Sequence, residues 1–268
     1  MHGNISIRAG VTAEPISLTE AKAHCRIDGS DEDGLITALI TAARGHAEGA
    51  TGRAMMTQAM RSTFHLFYRG MELAAPLRKV TAITYLDAAN ETQTLASSDY
   101  VVDAGELQGV ISQAYGVTWP STYDHPQAVT VDFVAGYATP FTVNATTNIV
   151  TATGHPIATG DVVRLSNTGG ALPAGLSVNT NYYAIGVSGD TLQLSLTEGG
   201  AAIDITGTGT GTHFIGSPDD SAWVAMRQAM LLLIGHWYAK RESASDYQSH
   251  DIPMGAAALL GMHKVWGF

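Results

Sequence analysis

Cysteine is all but missing: the 268 residues contain one, Cys25. A single thiol cannot close an intramolecular disulfide, and no cysteine cluster exists to hold zinc. The chain therefore reads as one made for a reducing compartment. Charge is also scarce, at 14% against the roughly 25% of an ordinary soluble chain. So sparse a surface suits a subunit that hides much of its exterior, and it favours an oligomer. What charge there is leans acidic, with 24 Asp and Glu against 14 Lys and Arg and a formal net charge of −10. A protein that neutralises nucleic-acid phosphates would carry the opposite sign, so phosphate clamping is disfavoured while passive contact with DNA is not. Long apolar runs are absent too. The best, Met230-Leu231-Leu232-Leu233-Ile234, falls far short of the roughly 20 residues of a membrane span. The start, Met1-His2-Gly3-Asn4-Ile5, lacks the basic and apolar regions of a signal peptide. The expectation is a protein that is soluble and intracellular at synthesis, with no membrane partner.

Hydrophobic residues make up 45% of the chain and the mean hydropathy is +0.07, enough for one large domain or two modest ones. Three composition zones divide it. The first, to about Ala138, mixes helical and strand patterns. Ser17-Leu18-Thr19-Glu20 fits the capping box, with a short helix to about Ile27. Asp31-Glu32-Asp33 places negative charge at the start of a second helix. There Leu35, Ile36, Leu39, Ile40, Ala43 and Ala47 define a buried stripe that stops near Thr51-Gly52. Strands are expected at Met60–Tyr68, around Val80–Leu86, at Tyr100–Val102, Gly109–Ile111 and Val129–Val134. The second zone, Thr139 to Gly216, is rich in Thr, Gly, Ala and Asn. Its charged side chains are Asp161, Arg164, Asp190, Glu198 and Asp204 alone. Short β-prone runs at 149–150, 162–165, 182–185, 192–194 and 203–205, separated by glycine turns, predict a small barrel or sandwich. The third zone opens with the cap Ser217-Pro218-Asp219-Asp220. Trp223, Met226, Met230, Leu233, Ile234 and Trp237 then mark one face of a long helix closed by Lys240 and Arg241. The fold class is α+β: a helical core with an antiparallel sheet, plus a small all-β domain.

Residues that could carry chemistry fail on inspection. In the run Gly207 to Thr212 no helix and no Lys-Ser/Thr follows the glycines, so a turn fits better than a phosphate loop. Asp28, Asp31 and Asp33 suggest a calcium loop, but its first and last ligand positions fall on Gly29 and Ile40. The ten histidines show no His-Glu-x-x-His spacing, and His236 reads as a helix residue. No Gly-x-Ser-x-Gly nucleophile is present, and Cys25 has no neighbour that would activate it. The expectation is no enzyme, no metal and no cofactor. Interaction is the better theme. Trp266 and Phe268 end an apolar tail from Ile252, and each large side chain costs roughly 1.5–3 kcal/mol to leave in water. The tail either folds back on its own core or docks into another protein.

The segments Pro15 to Asp28 and Asp31-Glu32-Asp33 through Ala54 resemble the opening of phage head-tail connector proteins. Tyr100-Val101-Val102-Asp103, Trp119-Pro120, Val131 to Tyr137 and Ile234-Gly235-His236-Trp237-Tyr238 continue that resemblance in order. It covers residues 14 to about 138 and 218 to about 260. It departs at the 78 residues from Thr139 to Gly216, where the family passes directly to its long helix. There Thr153 to Pro156, Thr159 to Val163, Leu172 to Leu176 and Tyr182-Tyr183 resemble a β-module appended to phage tail and virion proteins. The resemblance implies a connector domain of 1–138 and 217–268 holding an inserted module at 139–216. It further implies a homo-oligomeric, dodecameric ring in the virion neck under the portal protein of a long-tailed DNA phage. A head-closure (stopper) or tail-terminator protein would bind below, and DNA would pass through an acidic channel without specific binding. Portal docking would fall to Ile252, Pro253, Met254, Leu259, Leu260, Trp266 and Phe268. An alternative makes the β-module a binder of carbohydrate or host surface, with Tyr182 and Tyr183 as candidate stacking residues, of which strand alternation would bury one.

Overall fold

The computed structural model describes residues 3–105, 108–216, 221–240 and 253–265. The chain forms two compact units, Met1–Val11 with Gly52–Gly136 and Val265–Phe268, and Thr12–Thr51 with Tyr137–Lys264. This division differs from the composition zones, because the helices share a unit with the all-β segment.

The first unit is built from strands. They are β1 (Asn4–Ala9), β2 (Gln58–Phe64), β3 (Met71–Glu72), β4 (Leu77–Leu86), β5 (Thr92–Thr94), β6 (Tyr100–Asp103), β7 (Val110–Gln113) and β8 (Val129–Ala135). Five of them form an antiparallel sheet in the order β1-β2-β8-β4-β5, and β3-β7-β6 form a second. Strict alternation sets the core face: Val129, Val131, Phe133 and Ala135 of β8 are buried, as are Met60, Ser62 and Phe64 of β2. Phe67 stacks on Trp119 at 4.8 Å beside them, and Trp119 donates through Nε1 to the Tyr68 carbonyl at 3.2 Å. The run expected to reach Tyr68 ends as a strand at Phe64, and Leu66 is exposed.

Across the opposite face, Arg61 and Asp132 stand directly opposite in register. Arg61 donates through Nε and Nη2 to the two carboxylate oxygens, both at 2.7 Å. These hydrogen bonds, with the charges of Arg61 and Arg8, hold the Asp132 carboxyl below its ordinary value against the opposing effect of burial. A depressed carboxyl stabilises the fold above its unfolded value and loses that contribution as pH falls through its folded one. Both side chains are about a third exposed, so Asp132→Asn is expected to lower stability by about 1 kcal/mol at neutral pH. The gap to the parent should close below about pH 4. Denaturant titrations across that pH range check it; a constant gap counts against the pair.

Among its described residues the second unit combines four helices with a barrel. Helix α1 (Leu18–Cys25) starts at Ser17, whose Oγ accepts from the Glu20 N–H at 3.1 Å. It ends two residues before Ile27 because Arg26 turns left-handed at φ 58°, and Ile27 N–H closes onto the Lys22 carbonyl at 3.0 Å. In α2 (Asp33–Thr51) the buried stripe is Ile36, Ile40, Ala43, Ala47 and Thr51. Leu39 lies on its flank, half-buried, and Leu35 is 39% exposed. Leu35 thus departs from the expected core: it precedes Ile36 by one residue, about 100° round the helix. Helix α3 (Ser221–Ala239) buries Trp223, Met226, Met230, Leu233 and Ile234. Trp237 is half-buried and meets the His46 ring edge-on at 6.0 Å. Helix α4 (Met254–Gly261) turns Ala256 and Leu260 inward.

Six strands make the barrel: β9 (Ala138–Asn144), β10 (Ile149–Thr151), β11 (Val162–Thr168), β12 (Tyr182–Ser188), β13 (Thr191–Ser195) and β14 (Thr212–Gly216). They run β10-β13-β12-β11-β14-β9, and β9 pairs β10 to close the circle. Phe141, Val163, Leu165, Leu192 and Leu194 are among the side chains in its core. The expected strand at 203–205 is a loop. Its Ile205 still enters that core, tied by an N–H bond to Asn148 Oδ1 at 2.8 Å. The first and last strands are neighbours, with Ala138 opposite Gly216.

Candidate functional site

The barrel and the helices are joined at the start of α1. Ser17 donates its N–H to Thr168 Oγ1 of β11 at 2.9 Å. That hydroxyl donates in turn to Glu20 Oε2. Arg227 of α3 donates through Nη2 to both Glu20 oxygens, at 2.6 and 2.9 Å, and through Nε to the Pro15 carbonyl at 2.9 Å. The guanidinium also lies 5.9 Å from the Trp223 ring centre. Trp223 meets Phe214 of β14 edge-on at 5.8 Å. A capping box would return Glu20 to the Ser17 N–H. Here Thr168 takes that N–H, which frees Glu20 for the arginine. Gly169, at φ +74°, allows the approach, since a Cβ there would lie 2.5 Å from Ser17 Oγ. Sequence reasoning saw Ser17 and Glu20 but not their partners, 151 and 207 residues away. No local signal marks such a pairing.

The described residues assigned to docking divide three ways. Met254 is 72% exposed, Pro253 and Leu259 are half-buried, and Leu260 is 3% exposed. Leu260 therefore packs within its own chain, one turn after Ala256 on the inward side of α4. Ile252, Trp266 and Phe268 lie outside the described residues, as do the cap at 217–220 and Arg241. Met262, just past α4 and 71% exposed, was not singled out from sequence. With Met254 it makes the ends of α4 apolar and open to solvent. Tyr182, assigned to sugar stacking, is instead 2% exposed. Its hydroxyl accepts from the Ser177 N–H at 2.8 Å, so Tyr182 is the one of the pair that strand alternation buries, and Tyr183 is half-buried.

Among the described residues no group of three or more His, Cys, Asp or Glu is placed to hold a metal ion, and no helix is long and apolar enough to cross a membrane. Cys25 is half-buried, and burial pushes its thiol up, away from the reactive thiolate.

Comparison with known proteins gives the arrangement a context. The family of phage gp6-like head-tail connector proteins matches residues 15–109, which hold α1, α2 and β2 through β6. No curated protein matches the chain. A chain from the neck of the empty gene transfer agent (GTA) particle, computed with C6 symmetry, superimposes with a TM-score of 0.57 at 15% identity, covering 99% of this chain and 97% of that one. A chain from the virion of the native GTA particle gives 0.55 at 16% identity, with 98% and 96% covered. A chain from the native neck, computed with C12 symmetry, gives 0.54 at 16%, with 99% and 97% covered. At such identities the likeness is one of fold. The likeness to the phage gp6-like head-tail connector proteins thus lies in residues 15–109, and the likeness to the neck chains is one of fold along nearly the whole chain.

Proposed function

We propose that this chain is a neck subunit that assembles into a ring beneath the portal, leaves a channel for DNA, and offers a platform to a stopper or tail-terminator protein. The observation that carries the reading is the agreement of two independent comparisons. The connector family matches α1, α2 and the strands after them, and the neck fold extends along 99% of the chain. The sparse charge suits subunits buried against one another, and the excess of acid suits a conduit in which DNA must not stick. Residues 139–216 form a module inserted into the connector, since the barrel opens and closes on neighbouring strands. The C-terminal segment reaches the portal, with Met254 and Met262 as its exposed apolar contacts.

Native mass measurement of the purified chain, alone and with portal, tests this. A ring of twelve, matching the symmetry of the native GTA neck, is expected on the portal. Met254→Glu with Met262→Glu should leave the ring and its melting temperature intact while weakening portal binding about 10-fold or more. A chain that stays monomeric with portal present, in particles that still join tails without it, overturns the reading.

A further inference from the structure

A cleft of about 690 Å³ lies along β9 of the barrel, a size suited to a small ligand. It is bordered by Thr151 and Thr153 at the end of β10, by the loop entering β14, and by Thr12. Six of its twelve lining residues are threonines, and none is Asp, Glu, Lys or Arg. Among the described residues, none of those six hydroxyls is engaged with another part of the chain. Elsewhere in the barrel unit, threonine hydroxyls are used: those of Thr159, Thr168, Thr191 and Thr210 all make hydrogen bonds within the chain.

Both ring nitrogens of His213, another liner, are taken up within the chain. Asn167 Oδ1 accepts from the Gly170 N–H at 3.0 Å, so its amide nitrogen faces His213 Nδ1, 2.8 Å away, and Nδ1 must accept. The proton then sits on Nε2, which donates to the Thr208 carbonyl at 3.0 Å. No ring nitrogen is left for a ligand. Pro140, half-buried and on the same face of β9 as Thr142, adds apolar surface, while Phe141 points into the barrel core. An extended peptide could not add a strand here, because β9 is paired on both edges, to β10 and to β14.

We propose that this cleft binds a neutral saccharide. A sugar offers many hydroxyls that both donate and accept, matching the unengaged threonines, and a C–H face for the apolar surface. A charged ligand would find no counter-charge and would lose solvation without return.

The test uses the full chain with labelled threonine methyls, titrated with maltotriose, lactose and diacetylchitobiose, and separately with glucosamine and glucuronic acid. At least one neutral sugar should shift the Thr142, Thr151, Thr153 and Thr212 methyls saturably, with the charged pair giving no such shift. Thr142→Val with Thr151→Val keeps the shape, removes two hydroxyls, and should weaken binding about 10-fold or more. No response to any neutral sugar, equal response to a charged one, or unchanged affinity in the double variant overturns the assignment. Ring formation by native mass would be untouched in each case, so this failure is distinct from that of the neck reading.

Discussion

Arg227→Met should lower stability by about 2–3 kcal/mol, seen as a fall in melting temperature of roughly 5–10 °C. The change removes three hydrogen bonds: two to Glu20 and one to the Pro15 carbonyl. Glu20, 28% exposed, would keep its negative charge with Thr168 as its remaining side-chain partner at this junction. A fully buried broken pair costs about 3–5 kcal/mol, and partial solvent access brings the expected loss below the top of that range. Methionine preserves most of the packing along Trp223, so the loss reports the polar contacts. Pairing Arg227→Met with Glu20→Gln should cost less than the sum of the two, by about 1 kcal/mol or more. Additive losses would mean that the junction is not one network.

A larger effect is expected at Gly136, which links β8 to the barrel at φ +130°. A Cβ there would lie 2.2 Å from the Met56 carbonyl oxygen and 2.6 Å from the Thr57 nitrogen. Both are backbone atoms of the segment entering β2, and neither can rotate aside. The Gly136 N–H is meanwhile held at 3.0 Å by the Pro76 carbonyl. Gly136→Ala should therefore cost about 4 kcal/mol or more and leave little folded protein. The same change at Gly45, inside α2 where a Cβ meets nothing within 4 Å, should stabilise the chain by up to about 1 kcal/mol. Circular dichroism melts of the two variants, side by side, decide the matter. Equal losses at both sites would show that helix propensity or the described approach has been misjudged.

The helices were legible because their signals are local. The Ser17 cap and the four-three spacing of Ile36, Ile40, Ala43 and Ala47 need no knowledge of distant chain. Within that pattern Leu35 and Leu39 looked equivalent to their neighbours, since all four are large and apolar. Only the helix phase separates them. Strand β1 escaped notice because Asn4–Ala9 carries just Ile5 and Ile7 as large apolar residues, and all six of its residues are exposed. Its existence follows from pairing with β2, a partner more than fifty residues away in sequence. The all-β character of the second zone was readable from its turns, whereas closure as a barrel rests on the pairing of β9 with β10. Strand β9 itself straddles the composition boundary at Thr139. The junction at Glu20 shows the same limit from the side of charge. A capping glutamate is written in the local sequence, but whether it answers its own cap or a distant arginine depends on what the fold brings near.

The adjacency of Ala138 and Gly216 gives the barrel the character of a cassette. Its two backbone ends stand about 5 Å apart, so a recombination event that removes or replaces everything between them leaves a gap that one or two residues bridge. Glu20 and Arg227 could still face each other afterwards, with Thr168 the partner forfeited. Exchange of this part in one genetic step would leave the contacts among the helices in place and give up the one between Phe214 and Trp223.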